Sequence, residues 1–457
     1  MYWLFRALWS AALFAFFRRI DVQGRERVPA RGPVLIVANH TNAFVDPLLV
    51  LTELRRPVSL TAKSTLRGNP LLAVVMRALH VIEFQRSQDR AAGADPRRNV
   101  EAFEACRRRL AEGGCIVIFP EGVSHSDAAL RPFKTGAARI ALEFLEQSPG
   151  TALTIVPAGL HYEAKERFRS AAGVVFGEPF DAQVWRRSHP DANARELTAE
   201  LDRRIRALTA NFQDERDVRL FAQGAEILAV TSMPPPPLGW DVPRDYAAEV
   251  VIMQRMQDGR AWLARERPEQ LAALERRVDA LYSELQRLGV SAEELFLSMG
   301  AARVALFIVR ELELVLVGAP MAAWGALNHA LPYLTLQSLV RKMSKDRDHF
   351  ASNAVFLSLP VVPFFYALQV GLMALLLPPL WVLLYALALP LTGAVALLWR
   401  DRTGSAWRRT RTFFRFLRHP AEQRTLRAEA QSIAAEIRSL ADQAAPATAV
   451  GVPSARP

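Results

Sequence analysis

Short runs of β-branched and apolar residues recur along the first half of the chain, each closed by polar, glycine or proline residues. Such runs predict buried strands at 33–38, 57–66, 81–84, 115–119, 153–158 and 173–179. Between them, helices are expected from Asp46-Pro47, over 69–80, over 95–112 and from Ala137 onward; Gly113-Gly114 closes the third. Alternating strands and helices predict an α/β domain over 20–213, with a mixed sheet flanked by helices.

The pattern changes after residue 213. Over 214–300 it is helical, with Leu263, Leu271, Leu274, Leu281, Leu285 and Leu288 at helical spacing. Pro268 divides this stretch into two helices expected to pack on the α/β domain. A membrane region is expected over 301–400. Within it, residues 353–399 form a transmembrane helical hairpin, near 353–376 and 380–399, divided by Pro378-Pro379. Residues 314–340 are uncharged too, but Pro320, Pro332 and Asn328-His329 point to a re-entrant or surface-lying segment more than to a plain span. Residues 1–19 are short for a span. With Trp3, Trp9 and Arg18-Arg19 they read as an interfacial helix. Residues 401–443 form a basic amphipathic helical region suited to an anionic surface. The tail over 444–457, rich in small residues and proline, is expected to be disordered.

Composition narrows the partners. A formal net charge of +11 over 457 residues fits nucleic acid or anionic lipid. The long uncharged stretches decide for lipid, and the arginines flank them without forming an aromatic-interleaved nucleic-acid patch. Cys106 and Cys115 make no disulfide framework, and no Cys/His cluster suggests a metal.

Candidate chemistry lies where the strands end. The first run stops at Asn39-His40, and Asp46 is expected to cap a helix with Pro47 in its first position. One tight connection then brings an imidazole against a carboxylate at the carboxyl end of a strand, a pairing suited to general-base activation of an alcohol. A surface histidine in an Asx-type turn is the plain alternative. Arg86 follows the third run, either as a solvated loop residue or as a bidentate phosphate ligand. Phe119-Pro120-Glu121-Gly122 breaks the fourth run, and Lys134 stands beside the next helix N-terminus. That set is either a phosphate cradle or an ordinary strand-to-helix turn.

Taken in order, Asn39-His40 with Asp46, then Arg86, then Phe119-Pro120-Glu121-Gly122, then Val156-Pro157-Ala158 resemble the four blocks of the glycerolipid acyltransferase family, which includes the lysophosphatidate acyltransferases. Residues Thr41 to Val45 put five positions between His40 and Asp46 where four are usual. Val123-Ser124-His125 stands where Thr-Arg is commoner. Both departures look like the branch that acylates glycerol 3-phosphate or dihydroxyacetone phosphate.

The resemblance implies a membrane-bound enzyme, with its catalytic domain facing the cytoplasm from an inner membrane. It would move a fatty acyl group from acyl-CoA or acyl carrier protein to a hydroxyl of glycerol 3-phosphate, dihydroxyacetone phosphate or 1-acylglycerol 3-phosphate. Neither a cofactor nor a covalent enzyme intermediate is implied, and the partners are membrane lipids, the acyl donor and the phosphorylated acceptor. His40 would be the base and Asp46 its orienting carboxylate. Arg86 and the Gly122 turn, with Phe119 and Pro120 in the same block, would hold the acceptor phosphate. Lys134 or Arg131 would replace the missing arginine, and Glu121 would bond the glycerol hydroxyls. The alternative class is a non-catalytic lipid transporter or scaffold with an acyltransferase-like domain. An inactive domain should lack His40 or Asp46, and this chain has both.

Overall fold

Strand and helix order in the computed structural model follows the hydrophobic pattern closely. The structure describes residues 2–63, 76, 79–84, 96–212, 214–232, 245–296, 301–344 and 347–444. The chain opens with α1 (Tyr2–Phe16), β1 (Arg19–Gln23), β2 (Val34–Ala38), α2 (Val45–Glu53), β3 (Val58–Lys63) and β4 (Ile82–Phe84). After these come α3 (Pro96–Ala111), β5 (Cys115–Ile118), α4 (Gly136–Gln147), β6 (Thr154–Tyr162), β7 (Ala171–Phe176) and β8 (Phe180–Asp181). The helix expected over 69–80 lies mostly outside the described residues.

The sheet order is β1-β7-β6-β2-β5-β3-β4, with β8 paired to β6. β2 runs parallel to both β5 and β6, whereas β7 and β8 run antiparallel to β6, so the sheet is mixed. Its centre is covered on both faces: Val34, Ile36 and Ala38 face one core layer, Leu35 and Val37 the other. That is why β2 reads as an unbroken apolar run. β1 escapes the pattern because Arg19, Asp21 and Gln23 alternate along a half-buried edge strand. β8, two residues long, is too short to show one.

Helix α1 lays Tyr2, Trp9, Leu13 and Phe16 into the first core layer and leaves Trp3, Leu4, Leu8 and Phe14 exposed. Trp9 is therefore a core residue, stacked at 6.4 Å on Phe356, and only Trp3 keeps the interfacial position expected of both. Arg6, the one charge in this helix, donates to the carbonyls of Leu51 and Thr52 and so caps the end of α2.

Two compact units divide the chain: 1–211, 244–247 and 325–394 form one, 212–243, 248–324 and 395–457 the other. The first also holds α5 (Ala182–Ser188) and α6 (Ala194–Arg206); the second holds α7 (Glu215–Ser232), α8 (Tyr246–Glu266) from residue 248 on, α9 (Pro268–Leu288) and α10 (Ala292–Leu295). Leu274, Val278, Leu281, Leu285 and Leu288 of α9 pack with Ala430, Ile433, Ala434 and Leu440 of the last helix, Pro420–Ala444. Arg277 adds ion pairs to Glu429 at 2.7 Å and Glu436 at 2.6 Å. The leucine stripe thus faces other helices of its own unit, and the apolar face of 420–444 packs into that core, while Trp407, Phe414 and Leu417 earlier in the basic region stay exposed.

Helix α11 (Ala301–Met343) runs without a break through Pro320, Asn328-His329 and Pro332, which removes the expected re-entrant bend. Pro332 has no N–H for the Asn328 carbonyl. Gln369 Nε2 supplies the missing donor at 2.8 Å. The neighbouring polar groups are matched as well: Tyr385 donates to Asn328 Oδ1 at 2.6 Å, and His329 Nε2 meets the Tyr366 hydroxyl at 2.7 Å. These partners sit on α12 (Arg347–Ala374) and α13 (Pro379–Arg418), the expected hairpin. Their apolar stretches, His349–Ala374 and Pro379–Gly404, are 26 residues each. At 1.5 Å per residue that is about 39 Å, longer than a hydrocarbon core of roughly 30 Å.

Candidate active site

β2 delivers Asn39 and His40 to the carboxyl edge of the sheet. Asn39 is buried and continues the ladder with its side chain, donating to the Leu160 carbonyl at 3.1 Å and accepting from the Leu160 N–H at 2.7 Å. The chain then turns, and α2 begins at Val45 with Phe44 as its N-cap. Asp46 is thus in the first helical turn and is not the cap expected of it. Its carboxylate instead turns back into the loop that precedes it.

There it is fully buried and used on every side. Asp46 Oδ2 accepts from the N–H groups of Thr41 and Asn42, both at 2.7 Å, and lies 2.9 Å from His40 Nδ1. Oδ1 accepts from the Tyr162 hydroxyl. Burial, then the charge of Asp46, push the Tyr162 pKa well above the usual 10, so it stays a hydrogen-bond donor. With Nδ1 donating to a carboxylate, the lone pair of His40 is on Nε2. The ring stacks on Phe119, centroids 4.3 Å apart and planes 22° apart, and 12% of the side chain remains exposed. A tautomer fixed from one side, a ring plane fixed from another and a free Nε2 make a general-base geometry.

Glu121 sits behind this arrangement. It is 2% exposed; one oxygen accepts from the His40 N–H at 2.6 Å, and the other from the Arg131 N–H at 2.9 Å and from His125 Nε2. The His125 N–H in turn donates to the His40 carbonyl at 3.2 Å. Both Glu121 oxygens thus hold protein groups here, which makes the carboxylate a support for the His40 backbone, beside the glycerol-hydroxyl contact expected of it.

Gly122 makes the sharp turn at φ +73°, where a Cβ would stand 2.6 Å from Lys134 Nζ. Lys134 is tied back by its own N–H to the Pro120 carbonyl at 2.9 Å. Two residues on, α4 starts without a side-chain cap on its first N–H groups, and a helix N-terminus of that kind favours an anion. Arg86 lies outside the described residues. The two thiols are remote from this chemistry: burial pushes both Cys106 and Cys115 up to about 12.

Tyr162 joins the site without any short-range signal: it is 116 residues from Asp46 and enters because β6 lies beside β2, whereas His125 follows directly on the Phe119–Gly122 block. The comparisons with known proteins bear on the same segment. Residues 19–161 match the model of the Acyltransferase family. An uncharacterized acyltransferase of Schizosaccharomyces pombe is 28% identical over 257 residues, covering 38% of each chain. Glycerol-3-phosphate O-acyltransferase 1 of Saccharomyces cerevisiae is 26% identical over 287 residues, covering 44% of this chain and 38% of its own. A 1-acyl-sn-glycerol-3-phosphate acyltransferase of Borreliella burgdorferi is 32% identical over 155 residues, 34% of this chain and 54% of that one. The chain spans less than two-fifths of the first two relatives. A crystal structure of a 1-acyl-sn-glycerophosphate acyltransferase from Thermotoga maritima aligns with TM-score 0.33 and 22% identity, over 43% of this chain and 72% of that one. Residues 19–161 accordingly match the Acyltransferase family, with glycerolipid acyltransferases among their relatives.

Proposed function

We propose that the protein is a membrane-bound O-acyltransferase that esterifies a phosphorylated glycerol with a fatty acyl group from a thioester donor, acyl-CoA or acyl carrier protein. The observation that carries this is the His40–Asp46 pair, 2.9 Å apart, with its free Nε2 inside the acyltransferase domain. Glycerol 3-phosphate or dihydroxyacetone phosphate is the favoured acceptor. Val123-Ser124-His125 after the Phe119–Gly122 block and the glycerol-3-phosphate O-acyltransferase among the relatives support that choice. 1-Acylglycerol 3-phosphate is the competing acceptor.

His40 Nε2 takes the acceptor hydroxyl proton as the oxygen attacks the thioester carbonyl carbon. Asp46 stabilises the imidazolium so formed. The tetrahedral intermediate collapses, the C–S bond breaks, and the thiolate leaves with the proton from Nε2. Ester and free thiol result, and no enzyme nucleophile is needed. Lys134, the Gly122 turn and the α4 N-terminus hold the acceptor phosphate, with Arg86 as a further ligand. The apolar hairpin and the exposed apolar side of α1 hold the domain at the lipid surface where an acylated product belongs.

Purified membranes incubated with labelled palmitoyl donor and each acceptor in turn test the proposal through the product formed. His40→Ala should lower turnover by about 10²–10⁴ while the protein stays folded and membrane-bound. Near-wild-type turnover in that variant would overturn the mechanism.

A further inference from the structure

Helix α2 begins without a cap of its own: Phe44 occupies the position and offers no side-chain acceptor. The orphan donors of its first turn are met from far along the chain. Ser352 Oγ, in the second turn of the first hairpin helix, accepts from the Phe44 N–H at 2.9 Å and the Val45 N–H at 3.3 Å. The same hydroxyl reaches Asn42 Oδ1 at 3.2 Å and the Asn42 carbonyl at 3.5 Å. Ser352 is 1% exposed and Asn42 fully buried. One turn further along the helix, Phe356 stacks on Phe44 with centroids 6.1 Å apart. These residues, 42, 44 and 45, make up the connection between His40 and Asp46. Asn42 also gives Asp46 one of its two backbone donors, so whatever holds Asn42 holds the carboxylate.

We propose that Ser352 is a positioning residue for the transfer reaction: the first apolar helix reaches into the catalytic loop and holds Asp46 against His40. The proposal rests on the acyltransferase reading above. It makes the hairpin part of the catalytic apparatus as well as an anchor. Asn42 Nδ2 is already buried without a partner. Loss of the Ser352 hydroxyl would strand Asn42 Oδ1 and two backbone N–H groups beside it, a set of groups that can recover partners only if the loop shifts. A displacement of about 1 Å near reacting groups costs on the order of 10²-fold in rate.

The test uses the full-length protein in lipid vesicles. Ser352→Ala should lower kcat about tenfold to a hundredfold with both Michaelis constants within about threefold of wild type, and Ser352→Thr should restore most of the loss. Ser358→Ala is the control, because among the described residues the Ser358 hydroxyl bonds only the Val355 carbonyl of its own helix. In an Asp46→Asn background Ser352→Ala should cost little more, since its route to His40 is already cut. Hydrogen exchange at the Phe44 and Val45 amides should quicken in Ser352→Ala and not in Ser358→Ala. Unchanged exchange overturns the latch. So does a kcat loss no larger than the control's, or one that adds in full to the Asp46→Asn loss. Absence of transfer by the wild type with every acceptor overturns the enzyme reading instead, and the exchange measurement then judges the latch alone.

Discussion

Asp46 and Glu121 are two buried carboxylates with different neighbours, and the difference assigns their tasks. Asp46 faces the ring of His40 and Glu121 faces its backbone N–H, so one governs the imidazole directly and the other only the place where it is mounted. Glu121→Gln puts an amide NH₂ against the N–H groups of His40 or Arg131. It should lower kcat and leave the acceptor Michaelis constant within about twofold, because the bonds weakened are to protein groups. A rise confined to that constant, measured with glycerol 3-phosphate, would favour the hydroxyl-binding role instead. Tyr162→Phe removes the donor to Asp46 Oδ1 and leaves a buried lone pair unmet. The expected cost is about 1–3 kcal/mol in urea unfolding, together with slower transfer. His40 and Asp46 were legible in the chain because one loop carries both. Tyr162 and Ser352 were not, since each arrives on an element whose local pattern announces only a strand or an apolar helix.

Elements show the same division between local and distant causes. The apolar runs of β2, β5 and β6 announced a sheet buried on both faces, whereas the charged edge strand β1 carried no such signal. The start of α2 was misplaced by two residues because its cap belongs to another helix. At the outer end of β6, His161 stacks on Tyr246 with centroids 5.2 Å apart, and burial pushes its pKa down to about 4. The folded protein needs this ring neutral. Its contribution is therefore complete above the unfolded value near 6.5 and is lost as pH falls toward 4, by about 3 kcal/mol in all. Chemical denaturation across that window should show the decline, and His161→Phe should flatten it. In the Gly122 turn, Gly122→Ala strains a left-handed backbone and displaces the Lys134 ammonium. The acceptor Michaelis constant should rise severalfold or more while that for the donor holds.

Across the whole molecule, the two 26-residue apolar stretches form a hairpin, and as a membrane-crossing pair they would return the chain to the side from which it entered. Arg341 and Lys342 precede the hairpin and Arg408 and Arg409 follow it, so under the proposed function both ends are expected in the cytoplasm, beside the acyl donor. Cysteines at the exposed positions Ser188 and Ser439 should resist a membrane-impermeant thiol reagent in intact cells, and one at Leu376 in the hairpin tip should react. Labelling at Ser188 would overturn this topology. The hydrogen bond from Phe44 to Ser352 also carries a delay in time, because its partners are 308 residues apart. A ribosome adding roughly 5–20 residues per second needs about 15–60 s to make that stretch. The loop that holds His40 and Asp46 is synthesised early and completed only when the hairpin has followed it. If Ser352 positions the loop as proposed, a nascent chain carries His40 and Asp46 without that support until the hairpin has been made, and the order of translation delays full activity until then.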